Sequence, residues 1–114
     1  MQRDRSFLVD VLQACRRARE YCADTTERDF YNHRMRQDAV IRQIEIAGEA
    51  ASRLSPETRD RLSDVPWWRL IGMRNALIHG YVSVDLSVVW LTATADLEPV
   101  VRALERHLEA KGDA

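Results

Sequence analysis

The pattern of apolar and polar positions along the chain is typical of amphipathic helices. Residues 5–22 place apolar side chains at spacings of three and four, with charged residues between them. The next such stripe runs from Arg36 to Leu54 and includes Val40, Ile41, Ile44, Ala47, Ala50 and Ala51. Gly48 interrupts it. Because a glycine inside a helix costs about 1 kcal/mol relative to alanine, we expect Gly48 to let another helix approach closely.

Capping signals divide the middle of the chain. Ser55 followed by Pro56 predicts the start of a short helix that ends near Leu62. A similar signal at residues 64–66 opens a longer helix, Trp67 to His79, which Gly80 ends or bends.

The remaining segments are a final helix and one ambiguous stretch. Asp85 is a candidate N-cap for a helix from Leu86 to about Ala110. Pro99 lies inside that helix and should kink it or divide it in two. The stretch from Asp29 to Met35 fits either the start of the second helix or a short separate turn.

Composition supports the same fold class. Four Gly and three Pro provide too few turns for a many-stranded β-sandwich or barrel. A length of 114 residues corresponds to one domain. We therefore expect residues 1–114 to form a single all-α domain, an up-and-down bundle of four main helices with one or two short ones.

Charge and cysteine content limit the classes of function. With 17 Lys and Arg against 18 Asp and Glu, the chain cannot hold nucleic acid by bulk electrostatics, although a small basic site is still possible. No apolar run reaches the roughly 20 residues of a membrane span, and the charged start lacks a signal-peptide core. Cys15 and Cys22 fit reduced packing residues. We expect a cytoplasmic protein that is not bound to a membrane.

Motifs for several kinds of site are absent from the sequence. It has no CxxC, HExxH, glycine-rich phosphate loop or GxSxG pattern. Asp29 and His33 have the i, i+4 spacing of two metal ligands, but two ligands without a third are more often a solvated pair. We therefore expect neither a metal nor a cofactor.

One segment, residues 72–81, contains several side chains that could take part in catalysis. Arg74, His79 and Tyr81 bring a permanent cation, a group that titrates near neutrality and a phenol within eight residues of one another. On an ideal helix, Arg74 and His79 are about 140° apart. They can share one site only if the helix loosens before Gly80 or if a second copy of the chain completes it. The alternative is structural: His79 and Tyr81 would be polar caps, and Arg74 would pair with a carboxylate.

The sequence around this segment resembles a known family. RNALIHGY fits the Arg-x4-His-x-Tyr motif of the HepT-like branch of the HEPN superfamily. The run DAVIRQIEIAGEAA, the Pro66-Trp67 helix start, the GMRN lead-in and the VD…VW spacing also resemble HepT-like proteins. The resemblance covers nearly the whole chain.

That resemblance implies a toxin of a type VII toxin–antitoxin system that acts as a metal-independent endoribonuclease. Family members are homodimers in which Arg and His of both chains face a shared cleft. By position, Arg74 and His79 would be catalytic and Asn75 would support them. The partner would be an MntA-like nucleotidyltransferase that disarms the toxin by transferring AMP to Tyr81. The alternative is a non-catalytic helical module that binds a nucleotide or this partner.

Three further sets of residues have open roles. Glu49 could hold Arg74, tune His79 or form a simple ion pair. Trp67, Trp68 and Trp90 could stack on bases, although packing in the core or a dimer interface is the more common role of such residues. Arg16, Arg17 and Arg19 could guide RNA or form a charged outer face.

Overall fold

The computed structural model describes residues 2–80 and 84–110, and every regular element in that part of the chain is helical. The all-α prediction is therefore confirmed. The elements follow in the order α1 (Gln2–Cys22), α2 (Glu27–Tyr31), α3 (Arg34–Ser52), α4 (Pro56–Arg61), α5 (Trp67–His79), α6 (Leu86–Leu91), a π-helical segment (Thr92–Asp96) and α7 (Leu97–Ala110).

The buried core forms where α1 packs against α3 on one side and α7 on the other. The apolar stripes predicted from the sequence supply it, and its most buried members include Val11, Cys15, Ala18, Val40, Ile44, Ala47, Leu97 and Leu104. Both cysteines are free and buried. Burial raises the pKa of the Cys15 thiol to about 12, as expected for a thiol with a packing role.

The ambiguous stretch after α1 forms a separate short helix. Thr26 caps α2 by accepting from the backbone N–H of Asp29 at 3.1 Å. Phe30 points into the core and contacts the ring of Trp90, with ring centroids 5.3 Å apart. α2 therefore anchors the connection between α1 and α3.

The predicted caps of α4 and α6 are confirmed, whereas α5 begins at Trp67 after Pro66 with no side-chain cap hydrogen bond. Ser55 Oγ accepts from Thr58 N at 3.3 Å at the start of α4, and Asp85 Oδ1 accepts from Ser87 N at 3.0 Å at the start of α6. The buried carboxylate of Asp4 also accepts from the hydroxyls of Ser55 and Thr58, each at 2.5 Å. Asp4 thereby ties the first turn of α1 to α4.

The final helical segment is divided ahead of Pro99. Within Thr92–Asp96 the turn widens, and the N–H of Leu97 donates to the carbonyl of Thr92, five residues back. Pro99 lacks an N–H, so the helix loses one backbone donor just after this turn. Arg19 Nη1 of α1 donates to the carbonyl of Thr94 within the widened turn, at 3.2 Å. The widened turn therefore also holds α1 to the final segment.

α5 lies at the edge of the bundle, packed chiefly against α3. Trp67, Leu70 and Leu77 form its buried side. Trp68, Asn75 and His79 lie on its exposed side. Among the described helices, none is long and apolar enough to cross a membrane.

Candidate active site

The segment singled out in the sequence forms the second half of α5. The indole N–H of Trp67 donates to the carbonyl of Leu62 at 3.0 Å and fixes the start of the helix. At the other end, Gly80 N–H donates to the carbonyl of Ala76 at 2.8 Å. α5 is therefore helical through His79.

Arg74 is held by two partners. Its Nη2 lies 2.6 Å from Oε1 of Glu49 on α3, and its Nη1 donates to Oδ1 of the neighbouring Asn75 at 2.8 Å. The side chain remains 29% exposed, so the guanidinium can still be reached from solvent. Fixed geometry with partial exposure suits a group that stabilises negative charge on a bound phosphate.

Glu49 forms ion pairs with two arginines. Its second oxygen, Oε2, lies 2.9 Å from Nη2 and 3.0 Å from Nε of Arg53, the C-cap residue of α3. The hydrogen bond from Arg53 and the positive charge of Arg74 lower the pKa of the Glu49 carboxyl. Glu49 is therefore an ion-pair partner of Arg74, one of the roles that the sequence left open.

Gly48 explains why α3 and α5 come so close at this point. A Cβ atom at Gly48 would lie 2.3 Å from Cβ of Arg74. The expectation that Gly48 admits another helix is therefore confirmed, and the helix it admits is the one that carries Arg74. Glu49 comes within reach of the guanidinium because it follows Gly48 directly.

His79 is the last residue of α5 and is exposed. Since the helix does not loosen before Gly80, Arg74 and His79 are about 140° apart around its axis. Of the two arrangements that the sequence allowed, helix loosening is not observed. Tyr81 lies outside the described residues.

Two grooves border the exposed side of α5. An open groove of about 700 Å³ runs between α4 and α5 and has Arg59, Trp68 and Asn75 in its lining. A narrower and mostly apolar groove of about 380 Å³ separates α5 from α6 and the final segment. Trp68 lines both grooves and is 75% exposed. Trp67 is buried, so adjacent tryptophans have different roles.

Two of the α1 arginines named in the sequence analysis, Arg16 and Arg19, have structural partners. Arg16 Nη2 lies 2.7 Å from Oε2 of Glu105 on α7, and Arg19 is held by the Thr94 carbonyl. These contacts favour the charged outer face over RNA guidance for both residues.

The residue pair considered for a metal has another role. His33 caps α3, where its Nδ1 accepts from the backbone N–H of Arg36 at 3.0 Å. In the part of the chain that the structure describes, no three His, Cys, Asp or Glu side chains group as metal ligands.

Comparison with known proteins identifies the family. A family model described as "Ribonuclease HepT-like" matches residues 11–107. The chain belongs to the HepT-like ribonuclease family. The match covers the second half of α1, the whole of α2 to α6 and most of α7.

Curated relatives agree with the family assignment. "Putative RNase MJ1380" of Methanocaldococcus jannaschii is 33% identical over 89% of this chain and 93% of its own length. "Probable ribonuclease HepT" of Thermococcus cleftensis is 30% identical over 90% of this chain and 93% of its own length. "Gamma-glutamylcyclotransferase and putative RNase MJ0434", also of M. jannaschii, is 36% identical over 90% of this chain but only 46% of its own length. No solved structure matches the chain significantly.

One residue of the site was not singled out from the sequence. Arg53 completes the ion-pair group with Glu49 and Arg74. Its i, i+4 spacing from Glu49 was the available signal. That spacing is common on helical surfaces, so it does not by itself mark a functional residue.

Proposed function

We propose that this HepT-like protein is a metal-independent endoribonuclease in which Arg74 and His79 are catalytic. The main support for the proposal is the environment of Arg74. Its guanidinium is fixed by Glu49 and Asn75 and is partly exposed. It lies on the helix that ends in the exposed His79. Arg16 is also paired and partly exposed, but Arg74 differs from it in lying on the same helix as the exposed His79.

The proposed reaction is a transesterification. A neutral His79 takes the proton from the ribose 2′-hydroxyl, and the 2′-oxygen attacks the adjacent phosphorus. The bond to the 5′-oxygen breaks, and a protonated histidine supplies the proton that this oxygen needs. Arg74 stabilises the negative charge that builds on the phosphorane. The products are a 2′,3′-cyclic phosphate and a 5′-hydroxyl end.

We propose that the active form is a homodimer. The reaction needs a base and an acid, whereas one chain brings a single His79. The separation of Arg74 and His79 around a regular helix also supports a cleft to which both chains contribute. The exposed side of α5, with Trp68 and Ile78 on its surface, is available for such a contact.

We further propose that the protein is the toxin of a type VII toxin–antitoxin system. Its partner would be an MntA-like nucleotidyltransferase. In the proposed inactivation, the Tyr81 phenol oxygen attacks the α-phosphate of ATP, and pyrophosphate leaves. The added AMP would put a negative group seven residues from Arg74, where it would compete with RNA phosphate.

Analysis of the product ends tests the proposed reaction. Purified protein is incubated in EDTA with an RNA oligonucleotide and with the same oligonucleotide carrying 2′-O-methyl groups throughout. We expect cleavage of the unmodified RNA alone, with 2′,3′-cyclic phosphate ends. Cleavage of the methylated strand would contradict attack by the 2′-hydroxyl. RNA that is bound but not cleaved would favour the non-catalytic binding module.

A further inference from the structure

We infer that Glu49 is a positioning residue for Arg74 and that Arg53 is the counter-charge that keeps the site cationic. The inference rests on the proposed ribonuclease function and adds two residues to it. Its basis is a three-residue group, Arg74–Glu49–Arg53, which we call the guanidinium triad.

In the triad, each oxygen of the Glu49 carboxylate contacts a different arginine. Oε1 of Glu49 holds Arg74 at 2.6 Å, and Oε2 holds Arg53 at 2.9 Å. With both oxygens occupied, the carboxylate has little freedom to turn. Arg74 therefore keeps one orientation, since Asn75 also accepts from its other terminal nitrogen. Such fixation matters because a 1 Å displacement of a group at a reacting centre can cost about a hundredfold in rate.

The role of Arg53 follows from the net charge of the triad. A carboxylate paired with Arg74 alone would cancel the charge that a phosphate needs. With Arg53 included, two guanidinium groups face one carboxylate, so the triad has a formal charge of +1. Arg53 is 56% exposed, and Arg74 is also reachable from solvent. The triad can therefore attract phosphate while its carboxylate holds Arg74.

The backbone supports the same interpretation. Gly48 lets α3 approach α5 at the level of Arg74. The residue that follows, Glu49, then lies beside the guanidinium. Glu49 lies in the last turn of α3 and Arg53 is the C-cap residue of the same helix, so the end of one helix presents both.

Steady-state kinetics of RNA cleavage test the inference. Glu49→Gln keeps the size of the side chain but removes its charge, which frees Arg74 and raises the charge of the triad to +2. We expect kcat to fall roughly ten- to a hundredfold, while KM stays the same or falls. Arg53→Gln lowers the charge of the triad to zero. We expect KM to rise and the slope of log KM against log salt concentration to decrease by about one.

The double variant Glu49→Gln/Arg53→Gln separates the two roles. It restores a triad charge of +1, so KM should return towards the wild-type value while kcat stays low. Glu49→Asp keeps the charge with a shorter reach and should give an intermediate kcat. Loss of a merely structural role would not lower kcat in one of these variants and raise KM in the other.

The chain offers a matched control on α7. Glu98 and Arg102 form an i, i+4 ion pair of 2.9 Å with exposures of 43% and 62%, close to those of Glu49 and Arg53. Glu98→Gln should leave kcat and KM unchanged. Thermal unfolding of each variant checks that it is folded.

The outcomes distinguish this inference from the proposed function. If the wild type cleaves RNA and Glu49→Gln cleaves it with an unchanged or higher kcat, the positioning role is wrong while the ribonuclease proposal stands. An unchanged KM in Arg53→Gln overturns the counter-charge role. If the wild type does not cleave RNA, the proposed function fails and the inference fails with it.

Discussion

Gly48 of α3 lies directly against Arg74 of α5. A Cβ atom at position 48 would come within 2.3 Å of Cβ of Arg74 and 2.6 Å of the carbonyl oxygen of Leu70. The second contact is with backbone, which cannot rotate away. The two helices are therefore in close contact at the proposed catalytic arginine, so α3 and α5 cannot separate without moving the site.

Gly48→Ala should consequently lower both stability and cleavage. Overpacking costs about 1–3 kcal/mol, and the better helix propensity of alanine returns at most about 1 kcal/mol. Gly72→Ala is the matched control, because a Cβ atom there meets nothing within 4 Å. It should leave stability unchanged or raise it by up to about 1 kcal/mol. Urea unfolding measures both variants, and equal stabilisation by the two alanines would contradict the close packing.

Adjacent tryptophans provide a second test of the packing. Trp67 is buried and its indole N–H is bonded, whereas Trp68 is 75% exposed. Trp67→Ala should destabilise the chain by about 3–5 kcal/mol, and Trp68→Ala by less than about 0.5 kcal/mol. Chemical denaturation at low protein concentration measures the difference. A large loss in Trp68→Ala would show that the exposed indole supports folding.

Asp4 should make stability depend on acid pH. Hydrogen bonds from Ser55 and Thr58 lower the pKa of its carboxyl from the ordinary value of 3.8. Because the pKa is lower in the folded state, the stabilisation is complete above the unfolded-state pKa and is lost as pH falls through the folded-state pKa. Asp4→Asn should reduce stability at pH 7 by an amount on the order of 2 kcal/mol.

Urea unfolding between pH 2 and 7 checks the role of Asp4. The Asp4→Asn variant should lose less stability on acidification than the wild type does. Asp10→Asn, an exposed position on the same helix, serves as the control. Identical pH profiles for Asp4→Asn and the wild type would contradict the role of this carboxylate.

Features that depend on residues close together along the chain were predicted well from the sequence. The caps at Ser55 and Asp85 were correct because each is satisfied by a backbone N–H two or three residues away. The break near Pro99 was also expected, but its form was not. In the π-helical turn the carbonyl of Thr94 accepts a hydrogen bond from Arg19 on α1, and the sequence does not specify that long-range contact.

Contacts between distant helices were only partly predictable. Gly48 indicated a close approach, but only the packing of α3 on α5 identifies Arg74 as the residue that it meets. The sequence allowed Glu49 as a partner of Arg74 but could not choose between this role and its other possible roles. The role of Arg53 depends on the orientation of the Glu49 side chain. The contacts of Gly48 and Glu49 with Arg74 connect residues about 25 positions apart, so local periodicity cannot determine them.

The proposed target of inactivation is tested by mass spectrometry. Co-expression with a cognate nucleotidyltransferase should add the mass of one adenylyl group to the chain, and Tyr81→Phe should abolish the addition. Tyr31→Phe, at an exposed tyrosine on α2, should leave it intact. Persistence of the added mass in Tyr81→Phe would show that another residue is modified.

The most direct test of the central claim is the rate of RNA cleavage in EDTA by the wild type, Arg74→Ala and His79→Ala. Arg102→Ala, which removes an exposed arginine of α7, serves as the control. We predict metal-independent cleavage by the wild type and the control. The rate should fall about 10²- to 10³-fold in Arg74→Ala and about 10²- to 10⁴-fold in His79→Ala. Cleavage at the wild-type rate by either site variant would contradict the account.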